Sequence, residues 1–116
     1  MKTFQTHPIG IDQGEVVLFS EFADGGDMWT GEGARERSTA IKFSQAFRSV
    51  PVVQIGVSLW DVDTSSALRA EVKAEDISPE GFKAVFRTWS DTRIARIRVS
   101  WMAIGEVSHE DDWNIS

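Results

Sequence analysis

Alternation of apolar and polar residues dominates this chain and predicts strands with one buried and one solvent-exposed face. Strand-like segments lie at residues 15–22, 40–43, 52–59, 68–74, 82–89 and 94–103. Polar or glycine-containing turns separate them, as at residues 23–27 (ADGGD) and 77–81 (ISPEG). Helical periodicity is nearly missing. The pattern therefore predicts an all-β chain, a six-stranded antiparallel β-sandwich.

The same alternation assigns side chains to faces. Predicted to face inward are Leu68, Ala70, Val72, Ala74, Phe82, Ala84, Phe86, Thr88, Ala95, Ile97, Val99, Trp101 and Ala103. Predicted to face outward are Arg69, Glu71, Lys73, Lys83, Val85, Arg87, Trp89, Ile94, Arg96, Arg98, Ser100 and Met102. Apolar Ile94 and Met102 would then lie on the surface of a single sandwich, which favours self-association through that face.

Three segments lack the alternation. Residues 28–38 (MWTGEGARERS) are predicted as a loop, and residues 61–66 as a polar loop between strands. The last residues, 107–116 (VSHEDDWNIS), are acidic and show no pattern. We therefore expect one domain over residues 1–106, followed by an acidic C-terminal tail at 107–116.

Length and charge narrow the classes of partner. The 116 residues fit one domain with a modest core. With 12 Lys and Arg against 18 Asp and Glu, the net charge of -6 disfavours binding to phosphate backbones, so no nucleic-acid partner is expected. No apolar run approaches the roughly 20 residues that span a bilayer, so membrane insertion is not expected either. Cysteine is absent, so the fold relies on packing or association.

Motifs for catalysis or metal binding are missing from the sequence. Residues 61–65 (DVDTS) resemble the start of a calcium loop, but Ser66 replaces the sixth-position glycine and Val72 the twelfth-position glutamate. The two histidines, His7 and His109, lie almost a chain length apart and do not suggest a zinc site. With no nucleophile elbow or phosphate loop, we expect no enzyme activity, no metal and no cofactor.

Two outward-facing residues are candidates for ligand binding. A half-exposed Trp89 would offer a flat surface for the apolar face of a sugar ring, although an indole that packs at a subunit contact is the alternative. Arg69 has a planar fork of donors suited to adjacent hydroxyl groups. Its alternative is a surface or intersubunit salt bridge with Glu71, Asp61 or Asp63.

The second half of the chain resembles the H-type lectin family, which includes the snail agglutinins that bind N-acetylgalactosamine. The resemblance is best from about residue 41 to 104 and weaker from 13 to 29. It rests on the joint spacing of Pro51-Val52-Val53, Asp61, Arg69, Gly81-Phe82, Thr88-Trp89 and Ser100-Trp101. The family's fold is a six-stranded antiparallel β-sandwich that forms trimers, sometimes stacked as hexamers.

The resemblance implies a sugar site between neighbouring subunits. In the family, one protomer contributes an aspartate and an arginine, and its neighbour contributes an aromatic cluster. Arg69 and Trp89 align with the family arginine and tryptophan. Glu32 falls at the aspartate position, with Asp27 as the fallback if the loop is shifted.

Two positions depart from the snail lectin pattern. Ser90 stands where that lectin has a histidine, and Ala95 where it has a tyrosine. Both changes remove groups that would recognise an acetamido substituent, so a galactose-like ligand, a different glycan or no sugar are the open alternatives.

The sequence thus predicts a noncatalytic, calcium-independent lectin that binds galactose- or N-acetylgalactosamine-like glycans at trimer interfaces, in cell adhesion or recognition. The alternative is a structural trimerisation module of a phage tail or surface particle that has lost sugar binding. No signal peptide is visible at the first residues, whereas the family resemblance suggests an extracellular or cell-surface location.

Overall fold

The chain folds into two three-stranded antiparallel sheets that pack face to face, as seen in a computed structural model that describes residues 1–5 and 7–108. The elements are β1 (Ile9–Ser20), α1 (Asp27–Thr30), β2 (Arg35–Lys42), β3 (Val52–Val62), β4 (Ala70–Glu75), β5 (Gly81–Thr88) and β6 (Ile94–Glu106). The order β1-β6-β3 makes the front sheet, and β2-β5-β4 makes the back sheet. The predicted six-stranded antiparallel β-sandwich is confirmed.

Large apolar side chains from the central strands fill the space between the sheets. Ile97 and Val99 on β6 and Phe86 on β5 have 0% of their surface exposed. Phe86 meets Phe19 of the front sheet with ring centroids 5.6 Å apart. Full burial of such a side chain stabilises the fold by about 1.5–3 kcal/mol. The predicted inward face of both central strands is therefore correct.

The chain between residues 28 and 38 is more regular than its sequence predicts. Met28 lies in the short helix α1 with 0% exposure, and β2 already begins at Arg35. The loop prediction was wrong here because β2 opens with charged residues on both faces. Arg37 points to the inner side opposite Phe86, yet its guanidinium bonds Glu21 at the sandwich edge.

Two other predictions about side-chain faces are wrong. Ile94 is fully buried, so its predicted surface position is wrong. Asp61 lies opposite Arg96, but the next residue, Val62, lies opposite Ile94, so the register skips Ala95. An irregularity of this kind inserts one residue and changes the face on which the following side chains lie. Leu68, predicted inward, precedes β4 and is 51% exposed.

Smaller differences concern strand ends and one buried valine. β1 begins at Ile9 rather than residue 15, and β3 continues through Val62. Val85 has the predicted outward parity between Ser38 and Lys73, but only 1% of its surface is exposed.

The ends of the chain add two facts. The Val107 backbone N–H donates to the Pro8 carbonyl, while residues 109–116 of the predicted tail, with His109, lie outside the described residues. The division into a domain at 1–106 and a tail at 107–116 stays a prediction. None of the helices in the described part has the length and apolar character to cross a membrane.

Candidate functional site

Three connections meet at one end of the sandwich, which we call the loop end. They are residues 21–34 between β1 and β2, 63–69 between β3 and β4, and 89–93 between β5 and β6. Backbone hydrogen bonds join them: the Gly33 N–H donates to Ser90 O at 2.9 Å, and the Asp63 N–H donates to Arg93 O at 2.9 Å. The candidate residues Asp27, Glu32, Arg69, Trp89 and Ser90 all lie at this end.

Arg69 is positioned by two buried threonines that sequence reasoning did not identify. The Thr92 hydroxyl accepts the Arg69 N–H at 3.0 Å and donates to Ala67 O at 2.5 Å. The Thr88 hydroxyl donates to Arg69 O at 2.6 Å. Both threonines are 1% exposed. The backbone of Arg69 is thus held on both sides where β4 begins.

The guanidinium of Arg69 is available for a ligand. The residue is exposed, and it has no salt bridge with a described residue, so the predicted alternative with Glu71, Asp61 or Asp63 does not form within the chain. Its guanidinium donors are therefore available to an incoming acceptor.

Trp89 lies at the mouth of a cleft on the back sheet. Its side chain is 42% exposed, which matches the predicted half-exposed indole. The cavity measures about 460 Å³, which is within the range of small-molecule sites. The lining residues define the back cleft: Ala34, Arg35, Glu36, Glu71, Arg87, Thr88 and Trp89.

An ion-pair network forms the charged part of the back cleft. Arg87 contacts Glu36 and Glu75 at 2.7 Å and Glu71 at 3.3 Å. The hydrogen bond from Arg87 holds the pKa of Glu75 below its ordinary value. The same bond raises the pKa of Arg87, and a second bond, to Glu71, adds to the effect. Three carboxylates around one guanidinium leave spare acceptor oxygens beside the indole.

Ser90 and the 27–33 segment are tied together by Arg35. The Ser90 carbonyl accepts from the Arg35 Nη2 at 3.3 Å, and the Asp27 carbonyl accepts from Nη1 at 3.1 Å. Ser90 has a φ of 64°, in the left-handed region that non-glycine residues rarely adopt. Such a conformation persists only where surrounding contacts enforce it. Arg35 is a positioning residue that sequence reasoning missed.

Both candidate carboxylates lie in the connection between β1 and β2. Glu32 is exposed beside Gly33, whose N–H bonds Ser90, so it lies next to the β5–β6 connection. Asp27 begins α1 and is also exposed. Neither has a salt bridge with a described residue.

A second cleft opens on the front sheet at the loop end. Ala95, which aligns with the snail lectin's tyrosine, is 4% exposed and contributes to its wall. The cavity measures about 360 Å³. The lining residues define the front cleft: Ser20, Phe22, Ala23, Trp29, Asp61, Ala95 and Arg96. Sequence reasoning missed Phe22 and Trp29, although two aromatics beside a glycine-rich polar turn were a visible signal.

The opposite end of the front sheet presents an apolar strip. Ile11 on β1 lies opposite Ile104 on β6, which lies opposite Val52 on β3, so the three side chains form one row on the outer face. Ile11 is 65% exposed and Val52 53%. Ile9, at 50%, extends the strip along β1. Neighbouring apolar side chains at such exposure are typical of association surfaces.

Metal-ligand geometry is missing from the described residues. Among them, no group of three or more His, Asp or Glu side chains is arranged to hold an ion.

Comparison with known proteins places the chain among lectins. The family model of the H-type lectin domain matches residues 38–104. A protein called ATP synthase subunits region ORF 7, from Fuscovulum blasticum, is 50% identical over 107 residues and covers 92% of this chain and 93% of that protein. Discoidin-2 from Dictyostelium discoideum is 33% identical over 76 residues, which cover 65% of this chain.

A solved structure resembles the whole sandwich. Recombinant discoidin II of Dictyostelium discoideum superposes with a TM-score of 0.74 and 28% identity over 86% of this chain. The chain spans 38% of that solved discoidin, and the sequence match with discoidin-2 spans 30% of that protein. The similarity therefore concerns one part of each discoidin.

Proposed function

The chain belongs to the H-type lectin family, and on this premise we propose that it is a noncatalytic, calcium-independent lectin that binds galactose- or N-acetylgalactosamine-like glycans at the subunit interfaces of a trimer. The observation that carries the proposal is the half-exposed Trp89 at the mouth of a 460 Å³ cleft, at the end of the sandwich where Arg69 is exposed. We assign contact with the sugar to Trp89, Arg69, Glu32 and Ser90, with Asp27 as the alternative carboxylate.

Each proposed contact suits one part of a pyranose. The indole of Trp89 stacks on the apolar C–H face of the ring, which buries apolar area while the hydroxyl groups remain free. Arg69 donates to two adjacent oxygens through its planar fork, and the Glu32 carboxylate accepts two hydroxyl protons. Ser90 offers a hydroxyl in place of an imidazole. These contacts need neither a metal ion nor a covalent step.

We further propose that the chain forms a trimer through the apolar strip on the front sheet. A hexamer of two stacked trimers, which also occurs in the family, is the alternative assembly. Burying Ile9, Ile11, Val52 and Ile104 against neighbouring copies removes apolar surface from water, which stabilises association. Several weak sugar sites displayed on one particle then act together on a glycan-covered surface. Such avidity suits a role in cell adhesion or recognition.

The proposal is tested with a glycan array followed by titration of the strongest hit. We expect the parent to bind galactose-type glycans and Arg69→Ala to weaken binding by about tenfold or more, because a charge-assisted hydrogen bond contributes roughly 1.5–3 kcal/mol. Lys73→Ala is the matched control, since it removes a cation from the exposed face of β4, the strand that follows Arg69. The proposal would be contradicted if an assembled oligomer bound no glycan at millimolar sugar, or if Arg69→Ala bound as strongly as the parent.

A structural trimerisation module of a phage tail or surface particle is the second candidate function. The apolar strip favours it, because the strip serves assembly whether or not sugar binds. The absence of an imidazole and an aromatic ring at Ser90 and Ala95 supports it too. A trimer that binds no glycan is the outcome expected of this alternative.

A further inference from the structure

The front cleft combines aromatic and charged groups that the proposed site does not use. It shares no lining residue with the back cleft, and the two lie on different sheets. Phe22, in the connection after β1, is 61% exposed, an unusual exposure for a phenylalanine. It contacts Trp29 edge to face, with ring centroids 5.0 Å apart at an interplanar angle of 70°. A fixed aromatic pair therefore borders this cleft.

Several hydrogen bonds hold the segment that carries these aromatics. Glu21 binds Arg37 through two hydrogen bonds of 2.8 and 2.7 Å, and the Glu21 N–H donates to Ala95 O at 2.8 Å. The bond to Glu21 raises the pKa of Arg37. The Thr30 hydroxyl contacts the carbonyls of Gly25 and Gly26 at 3.1 Å. Because the segment is ordered before a ligand arrives, binding loses little conformational entropy.

Asp61 and Arg96 supply polar groups to the same cleft. They are directly opposite each other on β3 and β6, and both are exposed. Neither has a salt bridge with any described residue, whereas Arg37, Arg87 and Arg98 all do. Adjacent acceptor and donor forks match two neighbouring hydroxyls of a sugar ring, one of which gives a proton while the other accepts. Ser20 adds a hydroxyl beside them.

We propose that the front cleft is a second saccharide site, which takes a neutral pyranose between the Phe22–Trp29 pair and the Asp61–Arg96 pair. The small side chain of Ala95 leaves the space that the ring occupies. A neutral sugar fits better than an acidic one, because Asp61 repels a carboxylate at the position where it accepts a hydroxyl proton. The inference rests on the proposed function for its ligand class but not for its residues.

The test follows each site separately by NMR titration of D-galactose into the intact protein. Trp29 and Trp89 each carry an indole N–H, so their signals report the front and back clefts individually. We expect both signals to shift and saturate. Asp61→Asn should weaken the response of Trp29 by about tenfold or more while the response of Trp89 stays within about twofold of the parent's. Phe22→Ser, at an exposed position, should reproduce the effect of Asp61→Asn.

Controls separate a lost contact from lost structure or assembly. Asp76→Asn removes the same charge from the exposed turn after β4 and should leave both responses unchanged. Asp76 has a φ of 52°, which asparagine tolerates. Each variant's mass in solution is measured by light scattering, and dissociation of the oligomer by Asp61→Asn would overturn the inference in favour of a contact between copies.

The remaining outcomes distinguish this site from the proposed one. A Trp89 response without a Trp29 response overturns the second site and leaves the lectin proposal intact. A Trp29 response that Asp61→Asn removes, with no response at Trp89, supports the front cleft and overturns the back-cleft assignment. No response at either indole overturns both.

Discussion

Single residues at the loop end act through backbone bonds as much as through their own side chains. Arg69 and Trp89 could be predicted as site residues from their parity and from the family resemblance. Thr88 and Thr92 could not, because a threonine at the end of a strand or in a turn is ordinary. Their function in holding Arg69 depends on which carbonyls and N–H groups the β3–β4 connection brings within reach. Such contacts between residues more than 18 positions apart have no local signal in the sequence.

Thr92→Val tests whether this hydroxyl positions Arg69. The substitution keeps the shape of the side chain but leaves the Arg69 N–H and the Ala67 carbonyl without their partner. An unsatisfied buried polar group costs about 1–3 kcal/mol, so we expect the free energy of unfolding in urea to fall by that amount. Thr64→Val, at an exposed position of the β3–β4 connection that Thr92 contacts, is the control. A loss below about 0.5 kcal/mol for Thr92→Val would show that its hydrogen bonds are dispensable.

Strands and sheets show where periodicity succeeds as a predictor and where it fails. β5 and most of β6 follow their predicted faces because their apolar and polar residues alternate cleanly. The first residues of β2 were not predicted as a strand because Arg35, Glu36 and Arg37 are all charged. Arg37 lies on the inner side only because Glu21 of another segment meets it there. Ile94 changed face because a register irregularity, which depends on pairing with β3, precedes β6's regular part.

The ion pairs on the outer face of the back sheet indicate that the free energy of unfolding decreases at acidic pH. The pKa of Glu75 lies below its ordinary value of 4.5, chiefly because of the bond from Arg87. A carboxyl group with a lowered folded-state pKa stabilises the fold above its unfolded pKa, and that contribution is lost as the pH falls through the folded value. The pKa of Asp63 is lowered in the same direction by its bonds from Ser65.

We therefore expect the urea midpoint to decrease as the pH falls below 4.5, the ordinary value for Glu75. Glu75→Gln should make that decrease shallower, because one of the linked groups is gone. Glu80→Gln, at an exposed turn position outside the Arg87 network, should leave it as in the parent. The measurement is a series of urea unfolding curves between neutral and acidic pH. Equal slopes for parent and Glu75→Gln would refute the linkage.

At the scale of the whole molecule, the apolar strip and the two clefts lie at opposite ends of the sandwich. The strip is at one end of the front sheet, and both clefts are at the loop end. The sequence predicted a self-association face with Ile94 and Met102. In the structure Ile94 is buried, whereas Ile9, Ile11 and Val52, from strands distant in sequence, are exposed.

Ile11→Asp tests the apolar strip as the contact of the proposed trimer. A carboxylate in the strip would be desolvated on association, which is strongly unfavourable, so we expect the variant to be a monomer at micromolar concentration. Light scattering after gel filtration gives the mass directly. Leu68→Asp is the control, because Leu68 has a comparable exposure of 51% on a different part of the surface. A trimer that survives Ile11→Asp would exclude the strip as its interface.

The sequence by itself determined the β-sandwich, the faces of its cleanly alternating strands and the membership of a lectin family. These follow from local periodicity and from the spacing of residues along one chain. Only the tertiary structure decided which side chains meet. These are the threonines that bond the backbone of Arg69, the ion pairs around Arg87, the burial of Ile94 and the cleft lined by Phe22 and Arg96. Each depends on strand register and on loops brought together from distant positions, and one amino-acid sequence carries no periodic signal for such contacts.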